Sequence, residues 1–135
     1  MSDGGCYVLC IELTEEACIE IGALGKLGFD PGFYLYVGSA FGPGGLERIE
    51  RHRDVSMGRN DTRMWHLDYL NGFPETVWRT VWCYEGDVEC SLASILDERF
   101  DGVYGFGCSD CDCNSHLFYV EDFDEIVRTL SPTEP

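Results

Sequence analysis

The sequence predicts one mixed α/β (α+β) domain built on a small antiparallel sheet, and three observations predict it. Runs rich in aromatic and β-branched residues at 6–13 (CYVLCIEL), 33–37 (FYLYV) and 76–84 (TVWRTVWCY) have the length and composition of strands. Helical spacing appears late in the chain, where Phe123, Ile126, Val127 and Leu130 recur at i, i+3, i+4 and i+7. The size fits as well: 135 residues, 44% hydrophobic and 13% aromatic, can fill a single core.

Taken in order, 6–13 predicts the first strand and 18–22 the second, with 14–17 as the turn between them. Gly25, Gly28 and the run Asp30-Pro31-Gly32 mark a loop, and 33–37 is the third strand. Three such strands suit an antiparallel meander as the core sheet. A glycine-rich stretch at 38–45 leads into a helix over about 46–57, and Asp61 can cap a second over about 62–70. After the strand at 76–84, Asp87 can cap a helix reaching Phe100, with Val88, Leu92, Ile95 and Arg99 on one stripe. Short strands at 103–106 and 116–120 bracket a cysteine-rich loop, and a last helix starts near Asp122. Helices thus flank a three-stranded core sheet, with an additional C-terminal strand and helix region. No repeat or linker divides the chain, so 1–130 reads as one domain and 131–135 as a loose tail.

Charge narrows the setting. There are 25 acids against 9 bases, a formal net charge of −16, and Lys26 is the single lysine. An acidic interaction protein and a chain that binds a basic partner are two readings. A third is a carboxylate-dense surface suited to high salt, which fits acids scattered along the whole chain better than either. Net charge speaks to solubility and association rather than to fold. The N-terminus lacks a basic leader region, and no apolar run approaches the roughly 20 residues that span a bilayer. The expectation is a cytoplasmic protein with no membrane partner, where thiols stay reduced. Eight cysteines then point to metal binding or small buried fillers more than to disulfides.

Two short motifs carry the strongest signal. Gly5-Cys6-Tyr7 and Tyr36-Val37-Gly38 lie at the ends of the first and third predicted strands, and the second leads through a glycine-rich turn into a helix carrying Arg48. Later come Trp65-His66-Leu67-Asp68-Tyr69-Leu70, Glu89-Cys90, Gly105-Phe106-Gly107-Cys108-Ser109-Asp110-Cys111 and Ser115-His116-Leu117-Phe118-Tyr119. In this order the segments resemble the GIY-YIG nuclease superfamily, and specifically its Uri-type branch, over about residues 4–120. The branch and the acid surplus together imply an archaeal, halophilic source. The resemblance implies a three-stranded antiparallel core sheet with flanking helices, and hydrolysis of DNA phosphodiester bonds with Mg²⁺ or Mn²⁺. It matches Tyr7 to the family's first tyrosine, Tyr36 to its second and Arg48 to its helix arginine.

Phosphodiester hydrolysis needs a deprotonated water, neutralisation of charge on phosphorus and help for the leaving oxygen. Tyr7 is the candidate for activating water, with Tyr36 orienting it; the structural reading of both is strand packing. Arg48 offers a permanently charged fork for phosphate oxygens. The family's metal-binding glutamate falls near Ser94, which cannot replace a carboxylate, so Glu89 is the substitute candidate for Mg²⁺. Its alternative role is a favourable acid at a helix N-terminus. His66 is placed either in the active site or as a polar core residue.

Five of the nine bases, Arg48, Arg51, Arg53, Arg59 and Arg63, fall within sixteen residues. Arg48, Arg51 and His52 share a helix face at i, i+3 and i+4. Arg51, His52, Arg59 and Arg63 are therefore candidates for nucleic-acid contact, against ion pairing with neighbouring acids. Cys108, Cys111, Cys113 and His116 read Cys-x2-Cys-x-Cys-x2-His, a set that can close a zinc site or pack as free thiols. Cys6, Cys10, Cys18, Cys83 and Cys90 are expected as core fillers. Two functions follow from the residues and the resemblance. One is a metal-dependent endonuclease acting on DNA, including branched or damaged DNA in repair or recombination. The other is a catalytically silent nucleic-acid-binding module with a Cys/His metal-binding or structural loop.

Overall fold

A computed structural model describes residues 5–21, 24–39, 54–55, 70, 76–85, 89–103, 106 and 115–130. Strand β1 (Gly5–Leu13) lies between β4 (Gly32–Ser39) and β5 (Thr76–Glu85), and β4 continues the sheet to β7 (Leu117–Val120) and the two-residue β6 (Asp101–Gly102). All pairings are antiparallel. A separate hairpin joins β2 (Ala17–Glu20) to β3 (Lys26–Phe29). Two described helices follow, α1 (Glu89–Arg99) and α2 (Phe123–Leu130). The mixed α+β class predicted from the sequence is the one found.

Period-two alternation divides the sheet into two buried faces. On one, Tyr7, Leu9, Ile11 and Leu13 of β1 meet Tyr34 and Tyr36 of β4, Trp78 and Val81 of β5 and Leu117 of β7. The β2–β3 hairpin contributes Ile19 and Phe29 to this cluster, and Leu70 joins it. On the other face, Cys6, Val8 and Cys10 meet Leu35, Val37, Phe118 and Val120 under α1 and α2. Burial on both sides explains why 6–13 is almost continuously apolar, the pattern of a central strand. A register shift between Cys10 and Ile11 skips Arg79 on β5, so Trp78 and Val81, three apart, share a face. Arg79 reaches Glu12 from this bulge, its Nε donating over 2.8 Å.

The meander expected from the first three predicted strands is not the observed pairing. β2 leaves the sheet and pairs with β3, so β4 docks directly on β1. The strand that replaces the expected loop is four residues long and interrupted by Gly28, which hid its alternation. Its turn rests on Gly25 at φ 77, a conformation glycine adopts without strain, with Ile21 N–H donating to Gly25 O over 2.8 Å.

The helices settle on the second face through different residues than the sequence suggested. In α1, Leu92, Ala93 and Leu96 are buried, while Ile95 is 48% exposed. The expected stripe through Val88, Ile95 and Arg99 is therefore rotated by about one residue, which brings Glu89 to the head of the packed side at i−3 and i−4 from Leu92 and Ala93. In α2, Ile126 and Leu130 are buried and Val127 is at the solvent edge. Asp122 caps α2, its Oδ1 accepting from Asp124 N–H at 2.9 Å. No helix among the described residues is long and apolar enough to cross a membrane. The tail at 131–135 lies outside the described residues.

Candidate active site at one end of the sheet

The two tyrosine motifs meet because β1 and β4 pair with Tyr7 opposite Gly38. Tyr7 is 3% exposed and the tip of its ring meets the glycine: a Cβ built on Gly38 would stand 2.5 Å from Tyr7 Oη and 2.9 Å from Cε1. Only a residue without a side chain leaves that space. Gly38 and the phenol of Tyr7 are thus one steric unit, with the aromatic ring covering the backbone that glycine exposes. Tyr36, two residues earlier on β4, projects from the same face and stays half-buried, its ring edge-on to Phe106 at 6.3 Å and 76°. The other end of β4 repeats the device: Gly32, at φ 148, lies under Tyr119, whose Oη donates to Pro31 O at 2.7 Å.

The remaining described tyrosines donate to carbonyls that hold the fold together. Tyr34 Oη donates to Asp30 O at 2.7 Å and Tyr84 Oη to Leu130 O at 3.0 Å. Burial pushes the Tyr34 phenol well above its usual value, with the neighbouring Tyr119 and Asp30 adding to the rise. Tyr84 and Tyr119 are also raised, again chiefly by desolvation. These three stay protonated and structural. Burial likewise pushes the Cys10 thiol up to about 12, so it packs as a small hydrophobe. Cys6 is buried with it, but Cys18, Cys83 and Cys90 are exposed free thiols rather than the core fillers expected: Cys18 lies on the short β2–β3 hairpin, Cys83 on the edge strand β5, and Cys90 on α1 outside its buried set of Leu92, Ala93 and Leu96.

His116 occupies the same end of the sheet. Its backbone is clamped on both sides: His116 N–H donates to Phe106 O at 2.9 Å, and its carbonyl accepts from Val37 N–H at 2.9 Å. Ser115 tightens the turn before β7, its Oγ accepting from Leu117 N–H at 2.9 Å and donating to Leu117 O at 2.8 Å. The His116 side chain is 4% exposed and its Nδ1 lies 3.2 Å from Glu89 Oε2, whose side chain is 28% exposed. Alternation from Phe118 and Val120 sets this pair on the helical face, across the sheet from Tyr7 and Tyr36. Sequence reasoning assigned Glu89 and His116 to two different metals and missed their contact, since nothing local links residues so far apart. Ser94, the position of the family's glutamate, faces solvent.

Arg48, Arg51, His52, Arg59, Arg63, His66, Cys108, Cys111 and Cys113 lie outside the described residues. Among the described residues no group of three or more His, Cys, Asp or Glu side chains is placed to hold a metal ion. A family model, Domain of unknown function DUF123, matches residues 6–133. The chain belongs to this family. The DUF123 match takes in Tyr7, the Tyr36-Val37-Gly38 motif, α1 and the cysteine loop, so the site described above lies within the family's own span. No curated protein and no solved structure matches the chain.

Proposed function

We propose that this DUF123 chain is a Uri-type GIY-YIG domain that acts as a metal-dependent endonuclease on DNA, in the salt-rich cytoplasm of an archaeal halophile. The observation that carries the reading is the seating of Tyr7 on Gly38, which joins the Gly-Cys-Tyr and Tyr-Val-Gly motifs and sets Tyr36 on the same face. Packing alone does not require a tyrosine at that glycine. Ionised to the phenolate beside a bound cation, the Tyr7 oxygen would accept a proton from water; as the neutral phenol it would not. Tyr36 orients that water, and Arg48 neutralises charge on the phosphate.

The donor chemistry at Glu89 suits Mg²⁺ or Mn²⁺. Such ions commonly take one or two protein carboxylates and complete their shell with water and substrate phosphate. Glu89 Oε2 lies 3.2 Å from His116 Nδ1, and the carboxylate is 28% exposed. For an ion there to polarise the phosphoryl oxygen, the phosphate would have to reach the helical face around the end of the sheet from Tyr7 and Tyr36. The basic cluster from Arg48 to Arg63 would bind the backbone by direct contact, because counterion release contributes little at molar salt. Zinc, if bound, would take Cys108, Cys111, Cys113 and His116.

A second reading, a binding module that does not cut, draws on the position of Glu89 across the sheet from both tyrosines. Labelled single-stranded, duplex and branched DNA incubated in molar KCl with Mg²⁺ or Mn²⁺ separates the two. The endonuclease reading requires metal-dependent cutting that Arg48→Ala abolishes. Retention of DNA with no cutting of any substrate would leave the binding module.

A further inference from the structure

We propose that Phe106 is a positioning residue for Tyr36: its buried ring holds the tyrosine ring in the one orientation from which the hydroxyl can order the attacking water. The inference rests on the reading of Tyr36 as the residue that orients water in the endonuclease. The two rings meet edge-on, with centroids 6.3 Å apart and planes at 76°. Phe106 is fully buried and Tyr36 half-buried, so the anchored ring is the one from the turn and the ring that needs anchoring is the one at the rim. Both stand on the face of the sheet that carries Tyr7.

The backbone closes this contact into a circuit. Val37, next to Tyr36 on β4, donates its N–H to His116 O at 2.9 Å, and His116 N–H donates to Phe106 O at 2.9 Å. The Phe106 ring then returns to Tyr36. Phe106 is held from its other side as well, its N–H donating to Val103 O at 3.1 Å. Val103 N–H in turn donates to Leu117 O at 2.9 Å, and Leu117 is the register partner of Tyr36. The two aromatic residues, far apart in sequence, are thus both fixed to His116 and Leu117. A partly exposed tyrosine otherwise samples several χ1 wells, and each added well dilutes the competent one. An edge-on aromatic neighbour favours one arrangement by a factor of about 2 to 10. Chemistry that needs its groups placed to within about 1 Å loses rate when the holding group wanders. In this role Phe106 acts through Tyr36, and the segment Gly105-Phe106-Gly107 gains a part in the site.

The Hα–Hβ couplings of Tyr36, read by nuclear magnetic resonance in molar KCl, test this without DNA or turnover. Wild type should show the couplings of a single χ1 rotamer, and Phe106→Leu should show averaged ones. Averaged couplings in wild type, or fixed couplings in the Leu variant, overturn the proposal. Phe106→Met, which also removes the ring and keeps most of the volume, takes the place of a Leu variant that fails to fold. Single-turnover cutting of DNA adds a readout that a purely structural phenylalanine would not give. Phe106→Leu should slow cutting by about 2- to 10-fold with half-saturation by DNA unchanged. In a Tyr36→Phe background the same change should slow it no further. Equal slowing in both backgrounds would make Phe106 a structural residue and overturn the proposal. Wild type that cuts no DNA would remove the endonuclease reading, and the couplings would still decide whether Phe106 fixes Tyr36.

Discussion

The tip of the Tyr7 ring meets Gly38, its register partner on the neighbouring strand, in the space a Cβ would fill. The two residues come from the two motifs that carry the family resemblance, and each explains the other. The glycine makes room for the ring, and the ring shields the glycine's backbone from water.

This coupling is measurable as a double-mutant cycle. Gly38→Ala forces the ring aside and should cost about 1–3 kcal/mol of stability, the usual penalty for overfilling a tight site. In a Tyr7→Ala background the same change should cost at least about 1 kcal/mol less. Denaturant unfolding of the four proteins gives both numbers. Additivity within about 0.5 kcal/mol would mean that the ring and the glycine do not share that space.

The rotated face of α1 makes a sharper statement about two adjacent residues. Leu96 is fully buried on the second face of the sheet and Ile95 is half exposed. Leu96→Ala should cost about 2–5 kcal/mol and Ile95→Ala about 0.5 or less. The stripe read from sequence alone predicts the reverse order, so two urea titrations decide between them.

Much of the sheet was legible before any coordinates, and the reasons are physical. β1, β4, β5 and β7 are marked by apolar or aromatic runs, and Asp122 marks the start of α2 through its capping side chain. The β2–β3 hairpin was misread as one strand and a loop because Gly28 breaks the alternation of a four-residue strand. The face of α1 was misassigned because Val88, Leu92 and Ile95 form an apolar series as good as Leu92, Ala93 and Leu96, and only docking against Val8 and Val37 selects the second. In the site, the tyrosines were legible as motifs, but the contact of Tyr7 with Gly38 depends on register and that of Glu89 with His116 on tertiary packing. Neither leaves a local trace in the sequence.

Alkaline pH should expose the buried acids. The Cys10 thiol has a folded value raised to about 12 by burial, from an ordinary value of 9.0. A raised folded value means that the unfolded chain loses the proton first as pH rises. Stability from this group is complete below pH 9, falls between about 9 and 12, and is gone above that. The slope for one proton is about 1.4 kcal/mol per pH unit. Tyr34, raised in the same direction, adds to the fall above the ordinary phenol range. Unfolding midpoints at pH 8 and pH 10.5 should differ accordingly, and Cys10→Ala should reduce the difference. A flat profile would contradict the burial of both groups.

The acid surplus predicts a response to salt. With 25 carboxylates against 9 bases, self-repulsion is screened over about 3 Å at 1 M salt and over about 30 Å at 0.01 M. Circular dichroism should report loss of structure as KCl is withdrawn. Equal stability at low and molar KCl would remove the halophilic reading.

The most direct test of the endonuclease reading is the single-turnover rate of DNA cutting by Tyr7→Phe beside wild type, in molar KCl with Mn²⁺. The variant keeps the ring over Gly38 and removes only the phenolic oxygen. The account predicts a folded protein that binds DNA as wild type does and cuts it about 100-fold or more slowly, the usual contribution of a proton-transfer group. Cutting at the wild-type rate would show that Tyr7 only packs against its glycine, and the chemistry would have to be sought elsewhere.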